Sequence, residues 1–546
     1  MSTATPIDPI TVEVIGSAFS SITEEMGEAL VRASYSSNIK ERRDCSTALF
    51  DRTGHALCQA EHIPMHLGSF LETIPHIRRR FGADEIKPGD VFIGNDAYEG
   101  GGTHLPDIVL AEPVFYEGEL IAWALNTAHH SDFADRGHAH IYQEGLRIPP
   151  VKLYREGVLQ EDVQALILLN CQVPHERVSD LRAQMSANRV GVQRMQALCI
   201  KYGAARVRVA GDALQDYAER KMRAGIAAIP DGTYRFSDRF DNPQFEGTVD
   251  LSVAITIEGE DMRLSFEAPP QMRNGLNVIY TGLLATCYYA VKAIVDPTIL
   301  PNAGLTRPIH VEAPKGSLLN CEHPAAVNSR LSPCQRVADL IYGALAQALP
   351  GKVMAAGNGS CAAAVFSGTK DDGSLWVYLE TIGGGGGARP ASDGLSGIHV
   401  HLTNTSNLPV EALELEYPLV LLRYELVNDS AGAGTHRGGL GLRRVYRVAA
   451  ECRIDIDTSR VESLPWGLEG GGPAQGSTCR LNGEPLASEG TLLHPGDIVE
   501  IVTPGGGGFG LPSGRPHEAV MRDLREERIT PVFARRAYGE LAAPVS

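Results

Sequence analysis

Apolar and polar positions alternate in different periods along this chain, and each period predicts a different element. After Asp8-Pro9, suited to an N-cap and a first helical residue, Ile15, Phe19, Ile22, Met26, Leu30 and Ala33 recur at steps of three and four. That spacing predicts one long amphipathic helix. The run Asp44 to Asp51, followed by Arg52-Thr53-Gly54-His55, predicts a strand, a turn and a second strand. Short apolar stretches at Val91 to Ile93, Ile108 to Leu110 and Ile121 to Leu125 read as strands separated by loops rich in Gly, Asp and His. The period becomes helical from Arg177 to Gly203 and from Gly211 to Ile226. Val249, Leu251, Val253, Ile255 and Ile257 then alternate strictly, with Met262, Leu264 and Phe266 after Gly259, which predicts a second hairpin. Helices are expected at about 282–295 and 336–349. From Lys352 to Gly510 the chain is strand-like and punctuated by glycine, as at Trp376 to Leu379, Leu442 to Val448 and Ile498 to Val502, and a charged helix is expected from His517 to Gly539.

The fold class this predicts is α+β: multi-layer mixed sheets with long helices and a glycine-rich, β-dominated C-terminal part. The expected divisions are an N-terminal region 1–230, an α+β middle 231–350, the glycine-rich region 351–515 and a C-terminal helix in 516–546. No fixed-period repeat is visible, so a solenoid or propeller is disfavoured.

Charge narrows the function classes. With 49 basic and 66 acidic side chains the net charge is −17, spread along the chain, which disfavours nonspecific binding to nucleic acid or to an anionic membrane. No apolar stretch reaches the roughly 18 residues needed to span a bilayer, and Met1 to Asp8 show no secretory pattern, so a cytoplasmic location is expected. The ten cysteines form no CxxC pair and are expected to be reduced thiols, mostly packed in the core.

Candidate chemistry concentrates in Asn95-Asp-Ala-Tyr-Glu-Gly-Gly-Gly-Thr-His104-Leu-Pro-Asp107 and Asn126-Thr-Ala-His129-His130-Ser-Asp132. His104 and Asp107 lie three apart, and His129 follows beyond an apolar strand pair, so the two loops can converge at one end of a sheet. Imidazole nitrogen and carboxylate oxygen suit zinc, manganese or iron, and three protein ligands leave a position for water or substrate. Asp44, just before an apolar strand, can supply a fourth ligand or merely cap a turn. His138 and His140 read as solvent-facing or supporting residues. Glu61, His62 and His66 form a further polar cluster for which loop hydrogen bonds and catalysis are equally good readings.

The glycine runs Gly383 to Gly387 and Gly505 to Gly508 can wrap an anion with backbone amides, but tight backbone crossings are the favoured reading. Neither is a Walker sequence, no GxGxxG sits in a dinucleotide-binding context, and no GxSxG elbow or activated cysteine appears.

Several ordered segments carry a resemblance: Arg43-Asp44-Cys-Ser, His66-Leu-Gly-Ser, Gly94-Asn-Asp-Ala-Tyr98, Gly101-Gly-Thr-His104-Leu-Pro-Asp107 and His129-His130-Ser-Asp132. Pro324 to Arg330, Gln335-Arg336-Val, Asp429 to Gly434, Arg437 to Gly441 and Thr503 to Gly508 continue it. Over about residues 8–540 the chain resembles the B (beta) subunit of the ATP-dependent hydantoinase and 5-oxoprolinase family, which includes caprolactamase and acetone carboxylase relatives. The resemblance implies a two-component enzyme. A partner hydantoinase A-type subunit, resembling an actin-like ATPase and carrying ATP and Mg, phosphorylates a lactam or imide oxygen; the beta subunit handles the activated intermediate at a metal site. It places His104, Asp107 and His129 on the family's ligand positions and Asp44 on the fourth, with zinc expected first and manganese or iron as alternatives. A heterotetramer, two copies of each component, is implied.

The mechanism that follows is hydrolytic ring opening of a small cyclic amide, with water activated by the metal or by a base such as Asp132 or His66. Two other readings compete. A ketone carboxylase component would use the same ligands for carbon–carbon bond formation, and a non-catalytic scaffold would need no metal at all.

Overall fold

The computed structural model describes residues 7–60, 62–100, 102–130, 139–486 and 490–539. Its N-terminal half is built on a seven-stranded sheet: β1 (Cys45–Asp51), β2 (Ala56–Gln59), β3 (Val91–Gly94), β4 (Asp107–Tyr116), β5 (Glu119–His129), β6 (Val151–Arg155) and β7 (Val158–Leu159). The spatial order is β2-β1-β5-β4-β3-β6-β7, and every pairing is antiparallel.

Alternation along β5 builds a core on each face of this sheet. Ala122 and Ala124 pack with Ile15, Phe19, Ile22 and Met26 of the helix Pro9–Ala33 and with Met195 and Leu198 of the helix Pro174–Tyr202. Trp123 and Leu125 point the other way, against Phe70, Ile74 and Ile77. The first helix starts where its sequence predicts, with the Asp8 carboxylate accepting from Thr11 N at 2.9 Å and proline in the first turn.

A four-stranded sheet follows, in the order Ile309–Glu312, Asp261–Glu267, Val249–Glu258, Gly232–Phe240, covered by the helices Tyr280–Val295 and Leu331–Ala346. Strand Gly232–Phe240 is an addition to the predicted hairpin. Two further sheets, of four and five strands, share the core of Phe366, Tyr378, Ile454, Tyr446, Val499 and Ile501.

Leading off the ends of the strands Leu375–Thr381, Leu442–Val448 and Ile498–Val502 runs a bundle of extended glycine segments that hydrogen-bond chain to chain. Gly385 N donates to Pro504 O, Gly439 N to Gly386 O, Gly506 N to Gly439 O and Gly432 N to Gly506 O, all at 2.8–2.9 Å. These amides are committed to neighbouring backbone, so the anion-wrapping alternative is not what the runs do. Glycine is required for close approach: a Cβ on Gly438 would stand 1.7 Å from Gly506 O, and one on Gly506 would stand 2.0 Å from Gly386 O.

The single charged helix expected at the C-terminus is two helices, His517–Arg525 and Pro531–Tyr538. Thr530 interrupts it by capping the second, its hydroxyl accepting from Phe533 N at 3.1 Å, with Pro531 at the first helical position. Among the described residues, none of the ten cysteines forms a disulfide. No helix among the described residues is long and apolar enough to cross a membrane.

Candidate metal centre

The sheet itself brings the candidate residues together. Asp107 opens β4 and His129 closes β5, and the two are directly paired across the ladder. Asp44 immediately precedes β1 on the other side of β5, and its carbonyl accepts from His129 N at 3.0 Å. Three neighbouring strands therefore deliver Asp44, His129 and Asp107 side by side at one end of the sheet. His104 comes from the turn that leads into β4. His66 comes from a short 3-10 turn, Pro64–His66, that runs beneath the same edge.

The tight group is His104, Asp107 and His129, all buried, with ligand atoms within 4.8 Å of one another. His104 Nδ1 is 3.1 Å from Asn328 O. A carbonyl can only accept, so Nδ1 carries the proton and the Nε2 lone pair faces Asp107 Oδ1, 3.1 Å away. Both of those atoms are buried and neither has a hydrogen-bond partner. Two lone pairs held this close away from water repel unless a cation lies against both. The donor set and this orphaned pair fit a divalent ion.

Charge agrees with the geometry. Burial, reinforced by the Arg330 guanidinium, holds His104 below the usual imidazole range, and burial together with His104 holds His129 well below it. Both rings are thus neutral donors at pH 7. Burial alone would raise Asp107, but the basic groups around it outweigh burial and hold its carboxyl well below the ordinary carboxylate value, the Arg330 guanidinium being the one that stays charged at neutral pH. Its second oxygen, Oδ2, accepts from Arg330 at 2.7 Å.

Asp44 enters the same pocket beside His66 rather than within the tight trio. His66 Nε2 stands 3.7 Å from Asp44 Oδ1 and 3.6 Å from Asp107 Oδ1, and His66 Nδ1 meets Ser46 Oγ at 2.9 Å. The structure thus moves His66 out of the Glu61-His62-His66 cluster and into the metal pocket, whereas His62 lines a separate cavity. Asp132 and His138, like Glu61, lie outside the described residues. His140 sits half-buried near the Tyr142 ring. Cys361 also lines the pocket, but burial pushes its thiol up to about 12, which removes it as a thiolate nucleophile at neutral pH.

Sequence reasoning missed the residues that hold the ligands. Glu144 is buried, and its Oε1 accepts from Val327 N at 2.7 Å and Asn328 N at 2.6 Å. It thereby clamps the loop whose Asn328 carbonyl orients His104 and whose Arg330 grips Asp107. On the far side, Asn38 Nδ2 donates to His129 O at 2.7 Å and lies 3.3 Å from its Nδ1, while Asn38 Oδ1 accepts from the buried Arg42. Glu144 carries no local signal, since its partners lie more than 180 residues away. Arg330 had one signal, its place at the end of the family-like segment Pro324 to Arg330.

The fold recurs in known proteins. Residues 8–512 match the family model Hydantoinase B/oxoprolinase, and this chain belongs to that family. It is 33% identical to the B component of a putative D-/L-hydantoinase from Pseudomonas sp. (strain NS671), over 98% of this chain and 95% of that one. It is also 33% identical to the beta chain of caprolactamase from Pseudomonas jessenii, covering 98% of this chain and 96% of the relative. The crystal structure of the ATP-dependent caprolactamase from that organism superposes with a TM-score of 0.88 at 32% identity, over 98% and 96% of the two chains. The nucleotide-free structure of acetone carboxylase shares the fold, with a TM-score of 0.89 at 20% identity over 97% of this chain and 79% of that one. The hydantoinase and caprolactamase relatives are each named as one component of an enzyme with more than one subunit, so a partner chain is implied for this one.

Proposed function

We propose that this chain is the beta subunit of an ATP-dependent cyclic amidohydrolase and opens a lactam or hydantoin ring after a partner ATPase has phosphorylated the amide oxygen. The observation that carries the reading is the buried, unbridged pair of His104 Nε2 and Asp107 Oδ1 with His129 beside it. His104, Asp107 and His129 would hold a divalent ion, zinc first and manganese or iron as alternatives, with Asp44 as the fourth ligand. Such an ion polarises a carbonyl or lowers the pKa of a water at neutral pH.

The chain's own residues supply the rest. An amide carbon resists water because nitrogen donates into the carbonyl, and phosphorylating the oxygen removes that protection. His66 Nε2, between the carboxylates of Asp44 and Asp107, takes a proton from the attacking water and passes it to the ring nitrogen. Asp132 lies outside the described residues, so the assignment of the base rests on His66. Water adds to carbon, the C–N bond breaks, and the nitrogen leaves as the amine. Loss of phosphate from the same tetrahedral carbon would only regenerate the lactam, so C–N cleavage precedes it. The acyl phosphate left behind takes a second water to give carboxylate and phosphate. The two carboxylates stabilise the imidazolium formed in each proton transfer.

The fold is shared with acetone carboxylase, and the carboxylase and scaffold readings are separated from ours by one experiment. The chain is co-purified with its hydantoinase A-type ATPase partner and assayed for ring opening with ATP and Mg, with and without bicarbonate. Ring opening independent of bicarbonate, with His104→Ala abolishing turnover and bound metal, is expected. Bicarbonate-dependent ATP turnover would favour the carboxylase, and an unchanged His104→Ala enzyme would leave only the scaffold.

A further inference from the structure

The five-stranded sheet ends on an open edge. Its outermost strand, Leu419–Leu426, pairs with Leu442–Val448 on one side and, among the described residues, with no strand on the other. The start of that strand is occupied: Leu419 is buried, and the Leu421 amide donates to Glu414 Oε1 at 2.9 Å. From Leu422 to Leu426 every residue is exposed. Three of these are large and apolar, with Leu422 at 45%, Tyr424 at 41% and Leu426 at 47% exposure. An exposed strand edge is a template for pairing with another chain unless the sequence blunts it.

This edge is ordered before it meets anything. The Arg444 guanidinium lies 4.3 Å from the centre of the Tyr424 ring, and Asn407 Nδ2 donates to the Tyr424 hydroxyl at 2.6 Å. Arg444 is itself buried and paired with Glu380 at 3.0 Å. A strand already held in place loses little further freedom on pairing. Its charges also follow those of the sheet. Arg443 sits between Glu425 at 2.9 Å and Glu500 at 3.2 Å, so the sign alternates from strand to strand up to the open edge.

The exposed segment Leu422-Arg-Tyr-Glu-Leu426 is complementary to itself read backwards. About a two-fold axis at Tyr424, Leu422 faces Leu426 of a second copy, Arg423 faces Glu425, and the two tyrosines meet on the axis. Both leucine pairs and both ion pairs form at once, and Arg423 of the second copy supplies the next opposite charge beyond Glu425. Moving the axis one residue either way sets Arg423 against Arg423 or Glu425 against Glu425, which is destabilising. We propose that the strand Leu419–Leu426 pairs antiparallel with the same strand of a second copy of this chain, joining the two five-stranded sheets into one. This inference is independent of the functional reading above.

The test is sedimentation equilibrium of the full chain over a wide range of concentration. The wild type should associate to a dimer. Arg423→Glu and Glu425→Arg each set like charges opposite one another twice over, and each should weaken dimerisation at least about tenfold. An equimolar mixture of the two variants puts opposite charges back at both crossings, and should bring the affinity to within about threefold of wild type. Both side chains are exposed, so thermal unfolding of each variant should match the wild type. Rescue by mixing separates edge pairing from damage to the fold, because one damaged chain does not repair another. A wild type that stays monomeric, dimerisation that neither substitution changes, or variants that mixing fails to rescue overturns the proposal. Loss of ATPase binding in both variants, with self-association unchanged, also overturns it and assigns the edge to the ATPase partner.

Discussion

Replacing Glu144 tests whether the metal centre is held from outside its own ligands. The Glu144 carboxylate accepts two consecutive backbone amides at 2.6–2.7 Å, and the second of them belongs to Asn328, whose carbonyl fixes the tautomer of His104. Glu144→Ala leaves two buried amides without that acceptor, at about 1–3 kcal/mol each, so the loop is weakened by about 2–6 kcal/mol. Loosening a partner that orients a ligand typically costs 10–100-fold in metal affinity. Glu144→Gln keeps the shape and one acceptor oxygen but loses the charge, and should fall between wild type and alanine. Metal affinity is measured by competition with a chromophoric chelator, and unfolding of the metal-free protein is followed in parallel. The expected order of affinity is wild type, glutamine, alanine. Affinities within threefold of one another, with metal-free stability lowered, would show that Glu144 serves the fold alone and would refute the clamp.

Two further perturbations probe the fold. Glu112 is buried in β4, and burial, only partly offset by Arg189, raises its carboxyl from 4.5 to about 7. Since the folded state holds this proton more tightly than the unfolded chain, stability is greatest below about pH 4.5 and falls as pH rises to about 7, by about 3 kcal/mol for this group; Glu112→Gln should flatten that part of the denaturant-midpoint profile, and a profile of unchanged slope would contradict it. Gly438→Ala should cost more than about 4 kcal/mol or give no folded protein, because its Cβ would meet Gly506 O at 1.7 Å and Gly506 is itself hemmed in by Gly386. Gly351→Ala, with open space around its Cβ, is the control, and equal stability of the two variants in thermal unfolding would count against the packing argument.

What the sequence made legible was local. The helix Pro9–Ala33 and the strands around Val249 announce themselves by period, and Asp107 and His129 lie on two strands joined by a tight turn, with His104 in the turn just before the first, so their convergence needs little more than one hairpin. The strand Gly232–Phe240 was not legible because it lies at the edge of its sheet and is half exposed, which leaves no apolar stripe strong enough to mark it. The break in the C-terminal helix was written in Thr530-Pro531, the same cap-and-proline logic that Asp8-Pro9 displays, but the charged period runs on through it. Glu144 escaped for a different reason. A loop carries it against partners more than 180 residues away, and no spacing rule records a meeting set by tertiary packing.

The order in which the pocket's parts appear along the chain bears on how it would acquire an ion. Asp44 and Arg330 are 286 positions apart (330 − 44), so at about 5–20 residues per second the ribosome releases the first about 15–60 s before the second. During that interval the early histidines and aspartates lack the carbonyl and guanidinium that orient them. Selection of any ion would therefore wait on later chain: whichever cation loosely visits the nascent loops, the one retained would be decided only once the segment around Asn328 and Arg330 closes over them.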